Sequence, residues 1–169
     1  MNKTFKLVLF LAIVSAISGF SIGMVNSFTA PKIEANAIEA EKRSLEIIYP
    51  GSEFTNIEFE DEEGVVLNVY AVKDKGYVFK GTAKGYNASN PIICLIGLDV
   101  DGSITNVVAL QHSETSGVGS KCFEQENIDE LYIGKQVKEE IDVLSGATFT
   151  SNAIKTIINR AQEVYLEIK

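Results

Sequence analysis

Tryptophan is absent from the 169 residues, histidine occurs once and cysteine twice. His112 has no second imidazole or neighbouring thiol with which to share a cation, and Cys94 and Cys122 lack any metal-type spacing. No metal site is expected. Cys94 falls in the apolar stretch 91–98 and reads as a buried thiol, while the pairing state of the two cysteines is left open. Positive charge is scarce as well: Lys and Arg number 15 against 23 Asp and Glu, for a net charge of -8. Two of those cations, Lys3 and Lys6, precede an apolar run, so the rest of the chain is more acidic still. That balance excludes a nucleic-acid partner, because neutralising phosphates requires a basic surface. Internal repeats and low-complexity segments are missing too. No Ser, His and Asp share a definable geometry, and His112 as a general base has no identifiable nucleophile.

Charge is also absent from Leu7 to Val25, and the next charged residue is Lys32. A helix of about 20 apolar residues crosses a hydrocarbon core. The run therefore reads as a transmembrane helix over residues 7–30. Lys3 and Lys6 before it place residues 1–6 in the cytoplasm and everything beyond the span outside. A cleaved signal peptide is the alternative. Its apolar region would be shorter, and the small-residue site Ser27-Phe28-Thr29-Ala30 runs into Pro31, which suits cleavage poorly.

Residues 31–50 read as an amphipathic connecting helix, with Ile33, Ala37, Ala40, Leu45 and Ile48 near one face and Pro50-Gly51 as its stop. Residues 51–169 form the extracytoplasmic domain. Residues 52–64 are acidic and loop-like. Strand signals follow at 65–72, 77–83, 91–98 and 104–110, separated by short turns at Asp74-Lys75-Gly76 and Asp99-Val100-Asp101-Gly102, which imply antiparallel pairing. A short helix is expected over 123–131, a short strand over 137–143, and a long helix over 150–167 from the spacing of Ile154, Ile157, Ile158, Ala161, Val164 and Tyr165. The expected class is α+β: an antiparallel sheet with flanking helices, preceded by one transmembrane helix.

Two segments carry chemistry. Asp142-Val-Leu-Ser-Gly-Ala-Thr148-Phe-Thr-Ser151 lies ahead of the long helix, where unpaired backbone amides and the positive end of the helix dipole suit a phosphate. Ser and Thr at a helix start are equally ordinary N-caps, and on these residues alone the cap is the better reading. His112-Ser113-Glu114-Thr115-Ser116-Gly117-Val118-Gly119 follows a strand and mixes an acid, hydroxyls and a flexible glycine pair. It suits a loop cradling a ring system, or a plain solvated connection.

Taken together, the two segments resemble the FMN-binding domain family. Asp142, Ser145, Gly146, Ala147 and Thr148 match its flavinylation motif, Asp-x-x-Ser/Thr-Gly-Ala-Thr. His112, Glu114, Thr115, Gly117 and Gly119 match its His-x-Glu-Thr-Pro-Gly-Leu-Gly, with Ser116 in place of Pro and Val118 in place of Leu. Two motifs in order are far more specific than one. Within the family the compact chain is similar to the G-type components of Rnf ion-translocating electron-transport complexes, rather than to the longer C-type components of sodium-pumping NADH:quinone reductases.

The resemblance implies FMN held covalently through a phosphoester on Thr148. Ser145, Gly146, Ala147, His112, Glu114, Thr115, Gly117 and Gly119 would lie around it, and Asp142 would be part of what a flavin transferase recognises. It implies a translocase in which this chain relays electrons between ferredoxin- and NAD-type carriers without a complete catalytic site of its own. The implied partners are that transferase and the other membrane subunits of the complex. A free-standing anchored flavoprotein carrier and a non-catalytic anchored binding module are the alternatives. The first would purify without multispan partners and the second without flavin.

Overall fold

The computed structural model describes residues 2–169. In chain order it contains α1 (Lys3–Ile48), β1 (Phe54–Ile57), β2 (Val66–Val72), β3 (Gly76–Ala83), β4 (Ile92–Asp99), β5 (Ile104–Gln111), a 3-10 turn (Gly119–Phe123), α2 (Gln125–Leu131) and α3 (Thr148–Ile168). The chain divides into two units after Ala40.

The first unit is helical and long and apolar enough to cross a membrane. Three of its hydroxyls turn back on the helix itself. Ser21 donates to the Ile17 carbonyl at 2.8 Å, Ser27 to Gly23 at 2.9 Å and Thr29 to Val25 at 3.0 Å. Pro31 lies inside α1. The expected span at 7–30 and most of the connecting helix at 31–50 both fall within α1.

The second unit, from Glu41 onward, is built on a five-stranded sheet in the order β1-β2-β3-β4-β5. Every neighbouring pair is antiparallel. One face of the sheet packs against α3: Val69, Phe79, Cys94, Ile96, Leu98 and Val107 meet Ile154, Ile157, Ile158, Ala161 and Val164 in one core cluster. The other face packs against the end of α1, where Leu45, Ile48 and Tyr49 join Val72, Val78 and Leu95. β4 is therefore covered on both sides, which explains its nearly uninterrupted apolar sequence. Glycine permits the two close approaches. A Cβ on Gly81 would strike the Ile157 side chain, and one on Gly97 would come within 2.5 Å of Ile48 Cγ2.

Two polar ties close this unit. Tyr49 donates its hydroxyl to the Leu98 carbonyl at 2.9 Å. Asp61 accepts from the amides of Val65 at 2.9 Å and Val66 at 2.8 Å and from Arg160 Nε at 2.9 Å, joining the approach to β2 to α3.

The structure corrects three expectations. Residues 52–64 contain β1, an edge strand whose burial pattern does not alternate and whose extended form comes from pairing with β2. Residues 137–143 form no strand. Only the Gly134 amide and the Lys135 carbonyl bond to β5, at Ile104, and positive φ values at Gly134 (79°) and Lys138 (71°) turn the chain away. The helix expected over 123–131 splits at Glu124, whose extended backbone separates the 3-10 turn from α2.

Candidate flavin site

The site lies where three connections meet: the β3–β4 loop at 84–90, the loop after β5 at 112–119, and the segment 142–147 entering α3. Two of them turn by the same local chemistry. In Thr115-Ser116-Gly117-Val118 the Val118 amide donates to the Thr115 carbonyl at 3.1 Å, with Gly117 at φ 74°. In Leu144-Ser145-Gly146-Ala147 the Ala147 amide donates to Leu144 at 3.0 Å, with Gly146 at φ 83°. Each is a four-residue turn with Ser-Gly at its centre, and a positive φ at the third position is what glycine supplies without strain. The first turn closes with Ser116 where the resembled motif has proline.

The second turn delivers Ala147 as the N-cap of α3, with no side-chain hydrogen bond to the cap and no acid in the first turn. The first helical amide bond is Ser151 to the Ala147 carbonyl at 2.9 Å. Among the described residues, the amides of Thr148, Phe149 and Thr150 therefore have no protein partner. The hydroxyls that the sequence offered as caps are committed elsewhere. Ser151 Oγ accepts from the Leu144 amide at 3.0 Å and lies 3.3 Å from Cys122 Sγ. Thr150 donates to Glu114 at 2.5 Å. Thr148 is exposed. Burial pushes the Cys122 thiol up despite its contact with Ser151.

Glu114 holds the loops together. Only 8% exposed, it accepts the Thr150 hydroxyl and also the amides of Tyr86 at 3.3 Å and Asn87 at 3.4 Å. Two glycines make room for it. A Cβ on Gly85 would lie 2.5 Å from Glu114 Oε1, and one on Gly119 would lie 2.9 Å from Oε2 and 2.6 Å from Thr150 Oγ1. Gly119 thus serves the packing of this carboxylate.

Around these groups is an open cavity of about 310 Å³, lined by Tyr86, Glu114, Thr115, Val118, Gly119, Gly146, Ala147, Thr148, Phe149 and Thr150. That volume is at the low end of small-molecule sites, about 300–1,000 Å³. The structure brings Glu114, Thr115, Gly119, Gly146, Ala147 and Thr148 to this cavity. His112, Gly117, Ser145 and Asp142 do not line it. His112 stacks on Phe123, with ring centroids 4.4 Å apart and planes at 18°. Ser145 and Gly117 act through their turns, and Asp142 is exposed beyond them. Sequence reasoning missed Tyr86 and Phe149 as lining residues and named Thr150 only within the helix start suited to a phosphate. Phe149 and Thr150 directly follow the attachment motif, whereas nothing local to Gly85-Tyr86-Asn87 signals that it reaches α3.

The cavity fits FMN on its own chemistry. Unpaired amides at the positive end of a 21-residue helix suit a phosphate, Thr148 beside them presents a free hydroxyl, and exposed aromatic rings line the rest.

A meander sheet packed between α3 and the end of α1, with an anion-suited cavity at the amino end of α3, defines a small cofactor-holding α+β domain. The family model described as FMN-binding domain matches residues 85–163. The G component of the Na(+)-translocating ferredoxin:NAD(+) oxidoreductase complex of Acetobacterium woodii is 27% identical over 192 residues, covering 95% of this chain and 91% of that protein. The G component of the ion-translocating oxidoreductase complex of Haemophilus influenzae strain PittEE is 30% identical over 165 residues, covering 82% and 78%. The proton-translocating counterpart of Clostridium ljungdahlii is 23% identical over 172 residues, covering 96% and 91%. The chain belongs to the FMN-binding domain family, in the group of G components of ion-translocating oxidoreductase complexes.

Proposed function

We propose that this chain is the flavin-bearing subunit of a membrane complex that couples ferredoxin:NAD-type electron transfer to ion translocation, with FMN esterified to Thr148. The observation that carries the reading is the exposed Thr148 hydroxyl beside three unpaired α3 amides at the edge of the cavity. A phosphodiester there keeps one negative charge at the helix end that favours it. Bound FMN supplies one- and two-electron redox chemistry at its ring.

The protein's own residues position and shield. The Leu144–Ala147 turn directs Thr148 outward, the amides of Thr148, Phe149 and Thr150 offer donors for phosphate oxygens, and Glu114 fixes the loops on either side of the cavity. Asp142, Ser145 and Gly146, all exposed, lead with the buried Ala147 into Thr148 and form the segment that a flavin transferase would read before modifying it. His112 serves the fold of its loop by stacking on Phe123. The chain relays electrons and needs no proton donor or nucleophile of its own. A single span provides no ion path, so translocation belongs to partner subunits. Lys3 and Lys6 ahead of the apolar run support a cytoplasmic N-terminus with residues 51–169 outside, where a tether would prevent loss of the cofactor.

The chain purified from a host containing the transferase should show a fluorescent band on a denaturing gel and a mass increase of one FMN less water. Thr148→Val should abolish both signals. Covalent flavin persisting in that variant, or absent from the wild type, would sink the assignment.

A further inference from the structure

Two aromatic side chains are exposed where the fold has no use for them. Among the described Phe and Tyr residues from Glu41 onward, only Tyr86 and Phe149 are exposed, at 70% and 69%. Leaving a large apolar side chain in water forgoes about 2 kcal/mol that burial would contribute. Both line the cavity beside Thr148. Their centroids are 6.2 Å apart with planes at 63°, an edge-to-face pair that forms one continuous wall.

The wall's halves come from segments far apart in sequence, and a single carboxylate joins them. Tyr86 and its neighbour Asn87 donate backbone amides to Glu114, while Thr150, adjacent to Phe149 in the first turn of α3, donates its hydroxyl to the same group. With three donors engaged and glycines 85 and 119 packed around it, the carboxylate acts by where it holds others.

We infer that Tyr86 and Phe149 are the ring-contacting residues of the flavin site, and that Glu114 is the positioning residue that aligns them. The inference rests on the flavin reading above. A planar, polarisable ring finds in this pair the aromatic surface of the cavity, and packing over it removes both side chains from water.

The test uses the full chain in mild detergent, loaded with flavin in a host containing the transferase. Flavin per chain is measured by in-gel fluorescence after denaturation, and the state of the ring by emission and anisotropy of the native protein. A phenol beside an excited flavin quenches it by electron donation. Tyr86→Leu should keep its flavin per chain while native emission rises several-fold toward the denatured value and anisotropy falls. Tyr86→Phe should raise emission but retain anisotropy, and Phe149→Leu should lower anisotropy. Glu114→Gln should move emission and anisotropy as Tyr86→Leu does, with both aromatic rings intact, and Thr150→Val should do the same to a lesser degree. Loaded, folded Tyr86→Leu with wild-type emission and anisotropy would overturn the wall and assign the exposed pair to docking of another protein of the complex instead. Glu114→Gln that loses only thermal stability would overturn its positioning role. A wild-type chain without flavin would overturn the flavin reading and this inference together.

Discussion

Removing the Glu114 carboxylate should cost more than any other single polar change near the cavity. Its bond from the Thr150 hydroxyl is short and buried, with Thr150 only 1% exposed. Charge-assisted hydrogen bonds of that kind contribute about 2 kcal/mol, and stranding the buried hydroxyl adds to the loss. The bonds from the amides of Tyr86 and Asn87 are longer, at 3.3 and 3.4 Å, and only partly buried. They add about 0.5 kcal/mol each. Glu114→Ala should therefore destabilise the domain by about 3 kcal/mol, or roughly 10 °C in midpoint for a unit of this size. Thr150→Val removes only the first contact and should cost about 2 kcal/mol. The two losses share that contact, so the double variant should fall short of their sum by about 2 kcal/mol. Thermal melts of the four proteins, followed by near-ultraviolet circular dichroism without bound flavin, measure the coupling. Additivity to within about 0.5 kcal/mol would refute the clamp, whatever the single variants show.

Asp61 provides a pH test. Burial pushes its carboxyl up, but Arg160 and the amides of Val66, Glu63 and Val65 outweigh that and hold it below its ordinary 3.8. A depressed carboxylate contributes stability that is present above its unfolded value and lost as pH falls through the folded one. The stability gap between wild type and Asp61→Asn should accordingly be full at pH 7 and shrink below about pH 4, as read from melts across that range. Both cysteines should resist modification: burial pushes the Cys94 thiol up to about 12 and raises that of Cys122 as well. Iodoacetamide at pH 8 should label neither in the native chain and both in guanidinium, by intact mass. Rapid native labelling would contradict the buried placement.

The sheet was legible because its strands carry their own pattern. β2 to β5 each lie within a residue or two of the β-branched runs that announce them, and the Ile and Ala spacing marks α3. β1 was hidden because Phe54–Ile57 owes its extension to β2, a non-local cause. The false strand at 137–143 had apolar residues but also Lys138, whose positive φ no local pattern reveals. At the site, motif order brought Glu114, Thr115, Gly119 and the residues around Thr148 to one place. It left unsaid that Gly119 makes way for a carboxylate, and that His112 faces Phe123 instead of the cavity. Tyr86 lay in a loop whose destination depends on Glu114, and such a contact leaves no periodic trace.

The hydroxyls of the first unit bear on how the protein is made. Ser21, Ser27 and Thr29 each satisfy themselves against a carbonyl one turn back, so none of them must await a neighbouring helix before entering lipid. On the membrane reading proposed above, these three side chains place no demand on a partner helix. Insertion of the proposed span would then not have to wait for recruitment into a larger assembly.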